Sequence, residues 1–284
     1  MNNTVLIIGA GRVGTTVYRF IKEKMNIPVF LTDIKPVFKS NGYTMPGEDI
    51  IDFSAKQNIE DYSIIFITVP DDEIVSVVNK LQKNDLNNKI ILHTSGACGL
   101  SVFDVLKRQH AAIGSFHPLQ TFTGLFLRET IWKGIICTYQ GDEKGYGFVK
   151  HFCGMAGAEL IRVTAEQKIA IHTAGVLVSN LYFALLKAAE KVLETYDLKN
   201  EARSMLIPLI RQTIENYQRY PVADALTGPL KRGDINTIKS HLDFLNGQEE
   251  IRQLYKVLSK TLLNDVDLDE EKKKTLQELF DDAE

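Results

Sequence analysis

The chain has 284 residues, 44% of them hydrophobic and 24% charged, with a formal net charge of −3. That length suits two domains, and the composition is that of a globular protein able to bury a full core. The small net charge gives no support to nucleic-acid or membrane-surface binding, and the apolar stretches at residues 5–10 and 64–70 are too short to cross a bilayer. Cys98, Cys137 and Cys153 show neither CxxC nor metal-ligand spacing. Their odd number fits a reducing compartment, and Met1-Asn2-Asn3-Thr4 is no basic leader, so the expected location is the cytoplasm, with no metal.

The first apolar run, Val5-Leu6-Ile7-Ile8, ends at Gly9-Ala10-Gly11-Arg12-Val13-Gly14 and passes into a helical pattern over residues 12–24. This strand, glycine turn and helix start come in the order a dinucleotide requires. Gly9 permits the tight turn, Gly11 lets the backbone approach a pyrophosphate, and Gly14 brings helix and strand together. The free N–H groups of the first turn, with Arg12 and Val13 among them, face the phosphates. The second strand, 29–32, closes on Asp33, a carboxylate placed to accept ribose hydroxyls and to repel a 2′-phosphate; Lys35 can instead pair with that phosphate. NAD and NADP both remain open. Residues 35–48, with Pro36, Gly42, Pro46 and Gly47, read as a loop.

Further strands are predicted at 64–69, 90–93, 112–116, 134–138 and 160–163, with helices at 71–83, 100–109 and 146–156. Short apolar strands separated by helices imply a mostly parallel, doubly wound Rossmann sheet covered on both faces. In such a sheet the ligand lies beyond the carboxyl ends of the strands. Val69 and Pro70 at one such end are expected near the adenosine ribose, while Asp71 and Asp72 suit a helix N-terminus. At the next end, His93-Thr94-Ser95-Gly96-Ala97 offers Ser95 and Gly96 to the nicotinamide side; a plain structural turn explains them equally well. His117 follows, forced into an extended conformation by Pro118 and so aimed into the crevice, where an imidazole suits proton transfer or a carboxylate anchor.

After Thr164 only helical periodicity appears, at 165–194, 201–220, 235–245, 249–263 and 269–281. The division expected is a dinucleotide-binding domain over 1–163 and an all-α substrate and dimerisation domain over 164–284. On the first long helix Lys168, His172, Gly175 and Ser179 fall within about 60° of one another, with Asn180 about 80° further round, on an otherwise apolar helix. A polar stripe on an otherwise buried helix, as this one is expected to be, either pairs with a neighbouring helix or faces a wet cleft. The turn Leu226-Thr227-Gly228-Pro229-Leu230-Lys231-Arg232-Gly233-Asp234 combines Thr227 and Arg232, suited to a substrate anion, with Asp234, suited to capping the next helix. The apolar length of residues 165–194 points to a homodimer.

These motifs resemble, over nearly the whole chain, the two-domain proteins in which a Rossmann-like domain precedes a DUF2520 domain and which carry the label of NADP oxidoreductases. The resemblance rests on Gly9 to Gly14, Thr94 to Ala97, Ser115 to Phe122, Lys168 with His172, Ser179-Asn180, and Leu226 to Pro229 with Arg232-Gly233-Asp234. The arrangement is also similar to the wider 6-phosphogluconate dehydrogenase-like set, including pyrroline-5-carboxylate reductase, ketopantoate reductase, prephenate dehydrogenase and the β-hydroxyacid dehydrogenases. His117-Pro118 resembles the His-Pro of prephenate dehydrogenases, and Lys168 with His172 resembles the lysine-asparagine pair of β-hydroxyacid dehydrogenases. Asp33 departs from the basic residue expected for NADP, and His172 stands where that asparagine does.

The resemblance implies an NAD(P)-dependent oxidoreductase acting on a small carbonyl, imine or hydroxy acid held between the domains. His117 or His172 would move the proton, Lys168 and Asn180 would polarise the oxygen, and Ser179, Thr227 and Arg232 would bind substrate. Two other readings stand beside it: a dinucleotide-sensing or partner-binding protein without catalysis, and a decarboxylating dehydrogenase of the prephenate type.

Overall fold

The computed structural model describes residues 3–33, 39–51 and 59–281. The apolar run Val5–Ile8 forms β1, and three apolar residues closed by a buried threonine form β2 (Val29–Thr32). Where the sequence predicts only a loop, Asn41-Gly42 closes a small hairpin of β3 (Lys39–Ser40) and β4 (Tyr43–Thr44). Both turn residues have positive φ, 50° and 71°, as an Asn-Gly pair does in a two-residue hairpin loop. Lys35, considered above for a 2′-phosphate, lies outside the described residues.

The remaining strands are β5 (Ile64–Ile67), β6 (Ile90–His93), β7 (Ala112–Pro118), β8 (Ile136–Gly141) and β9 (Glu159–Arg162). They join in the order β2-β1-β5-β6-β7-β8-β9, parallel throughout except for the β7–β8 pair. Successive side chains enter opposite cores. Val5, Ile7, Phe66, Leu92 and Phe116 pack on one side, and Leu6, Ile8, Ile65, Ile67 and Ile91 on the other. A sheet buried on both faces needs unbroken apolar strands, which is why these runs do not alternate with polar residues. From β1 the chain adds β2 on one side and then crosses to add β5 on the other, so the crevice of the switch point opens where β1 and β5 end.

The covering helices are α1 (Arg12–Phe20), prolonged by a π-helical turn at Ile21–Met25, then α2 (Ile74–Leu81) and α3 (Glu143–Ala156). Leu100–Gln109 winds as a 3-10 helix.

The single helix predicted over 165–194 is two, α4 (Ala165–Val178) and α5 (Tyr182–Glu194). Ser179 Oγ donates to the Gly175 carbonyl at 2.6 Å, and the Leu181 amide reaches back to Val176 O at 2.9 Å. This side-chain competition for a helix carbonyl ends α4. Then follow α6 (Ala202–Arg219), α7 (Val222–Ala225), α8 (Pro229–Arg232), α9 (Ile235–Phe244), α10 (Glu249–Leu262) and α11 (Glu270–Asp281).

Contacts divide the chain into two compact units, Met1–Leu181 and Tyr182–Glu284. The helix that the sequence places at the head of a second domain, α4, thus belongs to the first unit. The second has its own core of Leu230, Ile238, Leu242, Leu263, Val266, Leu276 and Phe280.

Two expectations about apolar length fail. Lys168 is the only buried residue of α4, and α5 has none, so the helix is not buried around a polar stripe. Residues Ala165–Glu194 also include a window of mean hydropathy 1.7, long and apolar enough by length and composition to cross a membrane. Scattered polar residues hide that stretch from a search for unbroken apolar runs.

Candidate functional site

Gly9, Gly11 and Gly14 meet the structure in different ways. Gly9 has φ +116°, and a Cβ there would stand 2.7 Å from the Thr68 carbonyl carbon. A Cβ on Gly14 would fall 2.0 Å from Gly9 O and 2.4 Å from Thr68 Oγ1. The protein's own packing therefore demands both glycines. Gly11 is exposed, has an ordinary φ of −71°, and its Cβ would approach nothing nearer than Thr68 O at 4.0 Å. No internal contact requires glycine there, so the bare backbone faces outward, as pyrophosphate approach requires. No side chain caps α1, which leaves its first-turn N–H groups to a ligand or to water. Arg12 is exposed at the first position of the helix and Val13 is half-buried. Asp33, at the end of β2, accepts the Ala10 N–H and so lies against the glycine turn. Half-buried Val69 and exposed Pro70 follow β5 on the other side of the switch point.

Further along the same edge, the tips of β6 and β7 meet α4. The His117 and His172 rings stand edge to face, with centroids 5.5 Å apart. His117 Nδ1 lies 3.0 Å from Thr94 O. A carbonyl only accepts, so Nδ1 carries the proton and a neutral ring presents the lone pair of Nε2. Lys168 Nζ, only 2% exposed, donates to Ser95 O. Ser95 Oγ donates to Asp71 Oδ2 at 2.7 Å and accepts the amides of Ala97 and Cys98 at 3.1 and 2.8 Å.

Burial, then the Lys168 charge, pushes the His93 imidazole down to about 4. His117 also falls to about 4; burial is the main cause, partly opposed by the Thr94 carbonyl, with Lys168 and His172 lowering it further. Burial lowers the Lys168 ammonium to about 8, against the pull of Cys98 and Asp71. A lysine so placed exchanges a proton near neutrality, whereas His117 stays uncharged there.

Of the predicted residues, the structure brings together His117, His172, Lys168, Ser95 and Gly96. It leaves Asn180 apart, exposed in the turn after α4 with its side-chain amide 3.0 Å from Ser179 Oγ. Ser179, expected on the Lys168–His172 stripe, is drawn to the helix end by Gly175 O. Thr227 and Arg232 are exposed in the second unit, where Asp234 caps α9 by accepting Thr237 N at 3.2 Å, as its position suggested.

Two participants, Thr94 and His93, were given no role by sequence reasoning, and Ser95 was expected to act through its hydroxyl. Thr94 and Ser95 hold the cluster through carbonyl groups, which every residue type possesses. His93 is fully buried, with its ring 5.4 Å from Phe103 and both nitrogens without a hydrogen-bond partner. Its sequence signal was present, a histidine ending an apolar strand. Among the described residues, no group of three or more His, Cys, Asp or Glu side chains is placed to hold a metal ion.

The model of a Rossmann-like domain matches residues 2–118, and that of a domain of unknown function, DUF2520, matches residues 135–262. The chain is a Rossmann-like domain joined to a DUF2520 domain. The DUF2520 match begins before β8, so it takes in the last two strands of the sheet as well as most of the helices. No curated protein matches the sequence.

Among solved structures the Rossmann–DUF2520 chain is similar to BF3122 of Bacteroides fragilis, whose name marks it only as a candidate NADP oxidoreductase (20% identity, TM-score 0.71, covering 92% of this chain and 98% of that one). Protein TM1727 of Thermotoga maritima is similar at 21% identity and TM-score 0.68, over 92% and 98%. A reductive aminase of Aspergillus terreus, solved with NADPH and ethyl-5-oxohexanoate, is similar at 14% identity and TM-score 0.63, over 99% and 100%. At these identities the likeness is one of fold.

Proposed function

We propose that this chain is an NAD(P)-dependent oxidoreductase acting on a small carbonyl, imine or hydroxy acid. The observation that carries this reading is the convergence, on one edge of one sheet, of a glycine turn bare at Gly11 with a lysine that titrates near neutrality beside two histidines. The similar fold of the NADPH-bound reductase agrees with it. Residues Gly9 to Gly14, Asp33, Val69 and Pro70 would hold the dinucleotide, which when bound supplies the hydride. Lys168 is the proton donor in reduction and the acceptor in oxidation. His117, its Nδ1–H committed to Thr94 O, offers Nε2 as an acceptor that orients the substrate, with His172 at its edge.

The free cysteines fit a reducing, cytoplasmic location, and the protein acts as a homodimer in this reading. The test is titration with NAD, NADH, NADP and NADPH, followed by a panel of keto acids and imines with the tightest binder. Micromolar binding and turnover, with turnover lowered at least about 10²-fold in Lys168→Met, is the expected result. No association with any of the four at millimolar concentration overturns it. Binding without turnover on any substrate favours the sensing role.

A further inference from the structure

Thr94, Ser95 and Gly96 are consecutive, and each holds one part of the cluster without using its side chain for the purpose. The Thr94 carbonyl accepts His117 Nδ1–H, and the Ser95 carbonyl accepts Lys168 Nζ. Gly96 contributes the absence of a Cβ. Built there, that atom would lie 2.2 Å from His172 Nδ1, 2.7 Å from His172 Cε1 and 2.8 Å from His117 Cε1. Gly96 does not have the positive φ that would favour glycine. Its backbone conformation is open to any residue; only space excludes a side chain. The peptide cannot move aside cheaply, because Ser95 Oγ binds the amides of Ala97 and Cys98 and the carboxylate of Asp71.

We infer that Gly96 is a positioning residue, whose missing side chain sets the contact between His117 and His172. Thr94-Ser95-Gly96 is then a backbone template that registers both histidines and Lys168 against one another. What these groups do rests on the oxidoreductase reading; how they are held does not. Sub-ångström registration matters here, since a displacement of about 1 Å in a reacting constellation costs roughly 10²-fold in rate.

The test is Gly96→Ala, followed by NMR of the His117 and His172 ring protons, with His117 titrated, and by kinetics. His93, Lys168, Asp71 and Cys98 also act electrostatically on this cluster, so the titrations are repeated in Lys168→Met. The expected result is a displaced titration of the His117 imidazole, shifted ring-proton resonances of His172 and turnover lower by about 10²-fold, with nucleotide Kd changed less than about twofold. In a His172→Ala background the same methyl group takes the space that ring has left, and the remaining 2.8 Å approach to His117 Cε1 is relieved by a small turn of the His117 ring into the same space. The added loss there falls below about threefold, which is the mark of coupling between neighbours. An unchanged His117 titration with unchanged His172 ring resonances in Gly96→Ala, or an equal loss in the His172→Ala background, overturns the inference. If Gly96→Ala does not fold, Gly96→Ala/His172→Ala is expected to fold, and its failure to do so also overturns the inference. The titration needs no substrate, so its outcome is separable from failure of the oxidoreductase reading.

Discussion

His93 and His117 are held at about 4, well below the value of about 6.5 for an unstructured histidine. Between those values the unfolded chain binds more protons than the folded one, so stability falls as pH falls from about 6.5 towards 4. Urea unfolding followed from pH 7 to pH 4.5 should show that loss, on the order of a few kcal/mol, with a shallower dependence in His93→Phe. Lys168 acts at the other end. Its folded value of about 8 lies below that of a free lysine, so its contribution to stability rises with pH above about 8. In the proposed mechanism the same group sets the reaction's pH profile. Reduction needs the ammonium and should decline as pH rises through about 8, oxidation should do the reverse, and Lys168→Met should abolish that limb. His117→Asn removes the acceptor at Nε2 and should lower turnover by about 10²-fold with nucleotide binding intact.

At the scale of elements, β1 and α1 act as one piece. Gly14 lets the helix close on Gly9 O and Thr68, and Thr15, Thr16 and Arg19 bind the chain beyond β7. Thr15 Oγ1 accepts Phe126 N at 3.1 Å, Thr16 Oγ1 accepts Leu127 N at 3.3 Å, and Arg19 Nη1 donates to Phe126 O at 2.9 Å. The segment leaving His117-Pro118 is thereby anchored to the helix that follows the glycine turn. A paired substitution separates packing from ligand binding. Gly14→Ala should destabilise the first unit by roughly 3 kcal/mol or more through overlap with backbone. Gly11→Ala should cost less than about 1 kcal/mol of stability yet weaken nucleotide binding at least about tenfold. Thermal unfolding and fluorescence titration of the two variants measure both quantities. Equal loss of stability would make Gly11 a packing residue as well.

Over the whole molecule the outstanding feature is uncovered apolar surface. Buried residues number none on α5 and one, Ala202, on α6, while Phe183, Leu209 and Tyr217 are 70%, 65% and 68% exposed. Within the second unit, Leu185, Leu206, Phe244, Leu254, Tyr255 and Leu258 help to line an open apolar cavity of about 570 Å³. Helices with no buried face gain little from tertiary packing, and apolar areas this continuous mark an interface. We propose that a second copy covers them under isologous symmetry. Light scattering on the eluted protein should return about twice the chain mass of 32.0 kDa, and Leu209→Asp should lower that mass or precipitate the protein. A wild-type mass of one chain at micromolar concentration would dismiss the dimer.

The amino-acid order alone determined what depends on near neighbours. Gly9-Ala10-Gly11 after an apolar run encodes a turn and a helix start, and the strands were legible because two-sided burial needs unbroken apolar runs. Pro118 fixes the backbone before it, and the i, i+4 spacing of Lys168 and His172 puts them on one face of α4. Only the tertiary structure decided the antiparallel β8, the break after Val178, and the attachment of α4 to the first unit. It alone decided that His117, His172 and Lys168 are registered by two carbonyls and one absent methyl. Carbonyl groups are common to all residues and carry no letter in a sequence. The emptiness that makes Gly96 necessary exists only once β6, β7 and α4 have come together.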